Sequence, residues 1–218
     1  MNLSLVNVST RVALIIQRQQ IRRNTRQIRN QQIKVLKMYN KIYNYPVQTV
    51  PLSSGLIKIL FVDTGNTGRS VMGEAIANKI IIAQKLNMAC LSRGCNLNTF
   101  ASFPEQNGVT LLQQHGTDVS GHVAIQLTIH DINRTNVIVL TATESNKETV
   151  LELFPTLKNI YTLGNFANGF LESNPVPHTK YDVPDAYGKS MDFYIDTYNA
   201  IDEYVIASIK LLPTYIFK

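Results

Sequence analysis

The sequence predicts an α/β domain of three layers, a four-stranded parallel sheet with helices on both faces, preceded by a basic arm that is helical or disordered. Three observations carry this. From residue 56 onward, short apolar runs alternate with longer segments of helical periodicity, the pattern of repeated strand–helix units. Between the first such run and the first such helix lies a turn of small and polar residues, 63–70, where parallel sheets present their ligand loops. With 44% hydrophobic and 17% charged residues among 218, the chain has material for one ordinary domain and some extra chain.

The elements follow in order. The first strand falls at 57–62 and the first helix at 70–86; a second strand at 88–91 precedes a helix at about 104–115. A third strand at 137–140 leads to a helix at 144–153, and a fourth at 160–163 leads into a long loop rich in Gly, Asn and Pro. The last helix, 191–212, has its apolar face on Tyr194, Tyr198, Ile201, Val205 and Ile209, spaced as a buried stripe.

Charge divides the chain at the first strand. Ten of the 21 Lys and Arg precede Asp63 and none of the 15 Asp and Glu does, so the basicity comes from the N-terminal arm, and the chain from Asp63 onward carries −4. Nucleic-acid binding by the domain itself therefore has no support in its charge. Residues 1–55 form the arm and linker, with Pro46 and Ser53-Ser54-Gly55 marking the join, and 56–218 form the domain. Within the arm, Leu14, Ile21, Ile28 and Val35 recur every seven residues beside a stripe of Arg11, Arg18, Arg22 and Arg29. That pattern admits an arm that folds on its own domain, residues added by an early start codon, an organellar presequence, or a contact with nucleic acid or an anionic membrane.

The longest apolar runs fall far short of the roughly 20 residues that span a bilayer. Cys90 and Cys95, the two cysteines, have no partners for a metal site and read as buried small residues, which fits a reducing cytoplasm.

The chemistry concentrates in Asp63-Thr64-Gly65-Asn66-Thr67-Gly68-Arg69-Ser70. Successive backbone N–H groups in such a turn form a nest for an oxyanion, and the following helix dipole adds attraction. Gly65 and Gly68 permit close approach and positive φ, Asn66 tolerates a left-handed conformation, and Arg69 offers a two-pronged fork whose partner is phosphate or Asp63. It is not the nucleotide-binding G-x-x-x-x-G-K-[ST] loop, because the Lys and the spacing are missing.

The strand and loop resemble the Cys-x5-Arg-Ser segment of the low-molecular-weight phosphotyrosine protein phosphatases, with Val71-Met72-Gly73-Glu74-Ala75 where that family usually has Pro-Met-Ala-Glu-Ala. Ser92-Arg93-Gly94 resembles the family's Ser-Ala-Gly, Ser120-Gly121-His122-Val123-Ala124-Ile125-Gln126-Leu127 its Ser-x-His-x-Ala-Arg-Gln-Leu, and Asp182-Val183-Pro184-Asp185-Ala186-Tyr187-Gly188 its late Asp-Pro loop. The resemblance covers about residues 56–212 and leaves out the arm. It implies that Arg69 binds the phosphoryl group, that Ser70 steadies the nucleophile and that Asp185 protonates the leaving group. At the nucleophile position stands Asp63 instead of Cys, and the second loop cysteine of many members is Gly68. Ala186 replaces a proline and Ile125 an arginine, which leaves the acid loop less rigid; Thr67 matches the protein-arginine phosphatases.

An aspartate at that position has three courses open. It can fill the nest as an internal mimic of phosphate, be protonated by the site, or act as nucleophile and form an aspartyl-phosphate. The third usually takes Mg²⁺ held by further carboxylates, for which Asp182 and Asp185 are on hand. The reading adopted is a pseudophosphatase with the phosphate-binding residues Thr64, Gly65, Asn66, Thr67, Gly68 and Arg69, no cofactor, and a phosphorylated protein or small anion as partner. The alternatives are an active phosphatase on phosphotyrosine or phosphoarginine, and an inert domain anchored through its basic arm. His122 reads as a packed or loop-tying residue rather than a catalytic base, and Tyr187 as a ring that stacks on substrate or closes its loop.

Overall fold

The computed structural model describes residues 56–97, 102–133, 136–170 and 179–215, all within one compact unit, Val50–Lys218. The basic arm and the linker, residues 1–55, lie outside them. Four parallel strands, β1 (Ile57–Asp63), β2 (Met88–Gly94), β3 (Val137–Thr141) and β4 (Ile160–Thr162), run in the order β2-β1-β3-β4. The helices are α1 (Arg69–Gln84), α2 (Gln106–Gln114), α3 (Ile129–Ile132), α4 (Glu144–Leu153), α5 (Leu163–Ala167) and α6 (Met191–Leu211).

Their sequences explain their places. β3 is buried throughout and β1 everywhere except Lys58, because both faces of the central strands are covered. On one face Ile57, Ile59, Phe61, Ile138 and Leu140 pack with α1, α2, α5 and α6. On the other, Leu60, Val62, Val137 and Val139 pack with Ile132 of α3 and Val150 of α4. All five residues of the α6 stripe are buried, from Tyr194 to Ile209. Among the described residues no helix is long and apolar enough to cross a membrane.

Two differences from the sequence reading concern the site. β2 continues to Gly94, three residues beyond 91, and pairs Gly94 with Asp63. Its polar end is kept in the strand by side-chain partners: Ser92 donates to Glu74 and Arg93 pairs with Asp131 at 2.9 Å. The supposed loop after β4 opens with α5, which five residues are too few to reveal by periodicity. Thr162 caps α5 by accepting from Asn165 N at 3.2 Å, and Phe166 is fully buried.

Phe166→Ala is expected to lower unfolding free energy by about 3–5 kcal/mol, as large-to-small changes do in cores that cannot collapse. Urea denaturation measures it, and a loss below about 1 kcal/mol would show that α5 contributes little to the core.

Candidate anion-binding site

β1 is a central strand, and its carboxyl end delivers Asp63 to the loop side of the sheet. Backbone bonds fix that end: Cys95 N donates to Asp63 O and Asn96 N to Thr64 O, both at 2.9 Å. The loop lies so close on β2 that a Cβ at Gly94 would sit 2.9 Å from Thr64 O and 3.2 Å from Asn66 N. That close approach gives the Gly of Ser92-Arg93-Gly94 its physical reason.

The Asp63 side chain turns inward and is 3% exposed. Its Oδ1 accepts a short hydrogen bond from Asn66 N, and its Oδ2 accepts from Ser70 N at 3.1 Å. Asn66, wholly buried with φ 53°, supplies the left-handed turn. Neither Gly65 nor Gly68 takes a positive φ, so the sequence expectation for those glycines is corrected. Gly68 instead leaves space, since a Cβ there would meet nothing within 4 Å.

Asn66 is tied on every side. Its Nδ2 donates to Ser70 Oγ at 3.1 Å, its Oδ1 accepts from Ile125 N at 2.9 Å, and its carbonyl meets His122 Nε2 at 2.9 Å. His122 is thus a loop-tying histidine, as its sequence context indicated. Asn146, at the start of α4, donates to Thr64 Oγ1 at 3.0 Å and pins the loop from the β3 side.

Above this floor lies a cavity of about 190 Å³, lined by Asp63, Thr64, Gly65, Thr67, Gly68, Arg69, Asp185 and Tyr187, with Met72, Tyr194 and Thr197 behind them. Among the described residues, the backbone N–H groups of Gly65, Thr67, Gly68 and Arg69 have no intramolecular acceptor. The first turn of α1 carries no acidic residue of its own, and the Asp63 carboxylate bonded to Ser70 N is the negative charge that faces its dipole. Asn66 and Ser70, placed by the sequence in the phosphate site, support it from beneath and do not line the cavity.

Arg69 is not on Asp63, one of the two partners its sequence context offered: its Nη1 donates to Val183 O at 3.3 Å and its Nη2 to Asp185 Oδ2 at 2.7 Å. The cause is local. Both Asp63 oxygens are drawn to backbone N–H groups, which leaves Arg69 to the loop that crosses over it. Asp185 Oδ1 accepts from Tyr187 N at 3.1 Å, and Val183 N donates to Ala142 O at 2.9 Å, so that loop is anchored beside α4. Asp182 is engaged elsewhere, accepting from Glu144 N at 3.0 Å; burial pushes its carboxyl up, while that bond draws it down.

Both cysteines are free and buried. Burial, then the Glu74 carboxylate, pushes the Cys90 thiol up to about 12. Burial and next Asp63 raise Cys95, whose backbone N–H is bonded to that residue's carbonyl. Neither thiol is poised to be a thiolate, since both causes disfavour the charged form.

Residues 58–213 match the family described as low molecular weight phosphotyrosine protein phosphatase. The chain belongs to this family. It is 27% identical over 146 residues to a protein-arginine-phosphatase of Bacillus subtilis, covering 66% of this chain and 89% of that one. Likeness to the low molecular weight protein-tyrosine-phosphatase PtpB of Staphylococcus haemolyticus is 25% over 154 residues, covering 71% and 98%. Among solved structures, a YwlE mutant from Bacillus subtilis superposes with a TM-score of 0.62 at 27% identity, covering 72% of this chain and 98% of that one. A YwlE arginine phosphatase mutant with a phosphorylated active site serine does so with 0.61 at 26% identity, covering 71% and 95%.

In this phosphatase-family domain, sequence reasoning missed Asn146, Tyr194 and Glu105. Asn146 had a readable signal, its place after the strand next to β1; Tyr194 was read as core, and it is core that also reaches the cavity. Glu105 had none.

Asn66→Ala removes one buried and one part-buried hydrogen bond and puts in the left-handed region a residue without asparagine's tolerance for it, so a loss of about 3 kcal/mol is expected. Asn66→Gly keeps the backbone freedom and should lose about 1 kcal/mol less. Equal losses in urea denaturation would show that the left-handed turn is not a constraint here.

Proposed function

We propose that this domain is a catalytically impaired phosphatase relative that binds a phosphorylated side chain of a protein, or a small anion, without efficient turnover. The observation that carries the reading is Asp63 at the end of β1, with each carboxylate oxygen bonded to a loop N–H, where the family resemblance places a cysteine nucleophile. A carboxylate is a harder and weaker nucleophile than a thiolate. Here it is also spent on the loop it stands in.

The cavity keeps donors for an oxyanion in the N–H groups of Gly65, Thr67, Gly68 and Arg69, and Arg69 adds a guanidinium. Asp63 works against a dianion: like charges about 4 Å apart repel by on the order of 4 kcal/mol at an effective dielectric near 20, about three decades of affinity. That balance favours a ligand that brings contacts beyond its phosphate, such as a phosphorylated protein. The relatives act on phosphorylated arginine and tyrosine, as their names state; Thr67, in the cavity wall, leans toward arginine.

One observation favours a second reading, an active phosphatase with Asp63 as nucleophile. In the YwlE mutant with a phosphorylated active site serine, an oxygen on this fold holds a phosphoryl group. Against it, the further carboxylates Asp182 and Asp185 are held by Glu144 N and Arg69.

Hydrolysis of a generic aryl phosphate, with and without Mg²⁺, separates the two. Wild type is expected to be inert and Asp63→Cys to gain turnover. Turnover by wild type that disappears in Asp63→Asn makes Asp63 a nucleophile and overturns the proposal.

A further inference from the structure

Glu105 stands at the N-cap position of α2 yet makes no capping bond there. Its Oε2 accepts instead from two more distant groups, from Gly188 N at 2.8 Å and from the Tyr194 hydroxyl. Burial, and next the bond to Glu105, raise that hydroxyl far above the ordinary tyrosine range, so it remains a donor. Two residues along the chain, Asn107 Nδ2 donates to Lys189 O at 3.2 Å. One helix end thus holds the end of the acid loop by two bonds, at Gly188 and Lys189, and the start of α6 by a third, at Tyr194. Gly188 lies at φ 71°, a backbone setting that L side chains rarely adopt, and its N–H points where Glu105 can take it.

The same loop carries Asp185, which reaches Arg69 at 2.7 Å although its side chain is 55% exposed. An exposed ion pair is weak by itself, because fixing the side chains costs entropy. Here Pro184 stiffens the loop before Asp185, whereas Ala186 leaves the side after it without a proline. A held backbone removes part of that cost, and the ties that hold the far end are those of Glu105 and Asn107. Asp185 then occupies Nη2 of Arg69 and Val183 O its Nη1, so an oxyanion in the cavity competes with Asp185 for the guanidinium.

We propose that Glu105 is a positioning residue: by holding Gly188 and Tyr194 it keeps Asp185 on Arg69, and the acid loop becomes a cap that an incoming oxyanion must displace. This rests on the anion-binding reading above and adds its regulation.

The test is titration of the full chain with inorganic phosphate, followed by ³¹P line shape and the Arg side-chain N–H signals. The proteins are wild type, Asp185→Asn, Glu105→Ala, Glu105→Gln and the double variant of Glu105→Ala with Asp185→Asn. Removing the competing carboxylate in Asp185→Asn is expected to tighten phosphate binding about tenfold. Glu105→Ala is expected to tighten it roughly threefold in wild type and to add nothing once Asp185 is gone, the mark of residues that act as one unit. Glu105→Gln, which removes the charge but keeps an acceptor for Gly188, should stay near wild type.

A gain from Glu105→Ala that persists without Asp185, or appears equally in Glu105→Gln, overturns the proposal and makes Glu105 a distant charge. Equal phosphate binding by wild type and Asp185→Asn removes the cap but leaves the site. Absence of binding in every variant removes both the cap and the anion-binding reading. Should Glu105→Ala not fold, Asn107→Ala, which cuts the neighbouring tie to Lys189, gives the same comparison with Asp185→Asn.

Discussion

A single buried carboxylate sets the geometry of the cavity. Asp63 accepts from the N–H of Asn66, in the middle of the turn, and from that of Ser70, in the first turn of α1. One side chain therefore closes the loop between β1 and α1 on itself. Buried N–H groups left without a partner would cost about 1–3 kcal/mol each, so the carboxylate stabilises the turn in which it stands. The same bonds turn Asp63 away from Arg69. Arg69 is then free to take Asp185 and Val183, and the acid loop comes to lie across the site.

The consequence for chemistry is a charge balance. Thiolates serve in phosphate loops because they are nucleophilic and polarizable, whereas a carboxylate held by loop N–H groups adds a hard negative charge beside the ligand. Asp63, Asp185 and Arg69 line one cavity, two carboxylates to one guanidinium. Donors for an oxyanion remain in the backbone of Gly65, Thr67, Gly68 and Arg69, on the rigid end of a central strand. The scaffold is that of the phosphatase family, and the proposal of holding over turnover rests on this local charge balance.

The fold was legible because its signals are long or periodic. The continuous runs of β1 and β3, the stripe of α6 and the strand–helix alternation survive packing unchanged, and α4 has the bounds its sequence indicated. The loop was legible from its small residues and Arg69, although the left-handed role fell to Asn66 and not to the glycines. What could not be read were partners chosen by geometry. Nothing near Arg69 in sequence indicates that Asp185, 116 residues away, wins it. Glu105 and Asn146 act through contacts with distant segments, and α5 is too short for a period to show. The end of β2 was missed because Ser92 and Arg93 are polar, and only their partners Glu74 and Asp131 explain why they stay in a strand.

The claim that Asp63 serves the loop and not the reaction is tested most directly by looking for its phosphorylated form. Wild-type protein would be incubated with an aryl phosphate, trapped with borohydride, which reduces acyl phosphates, and measured as intact mass and peptides. An unmodified Asp63 is the result predicted. Reduction of Asp63 that depends on the phosphate ester, and is absent from Asp63→Asn, would contradict it and make the residue a nucleophile.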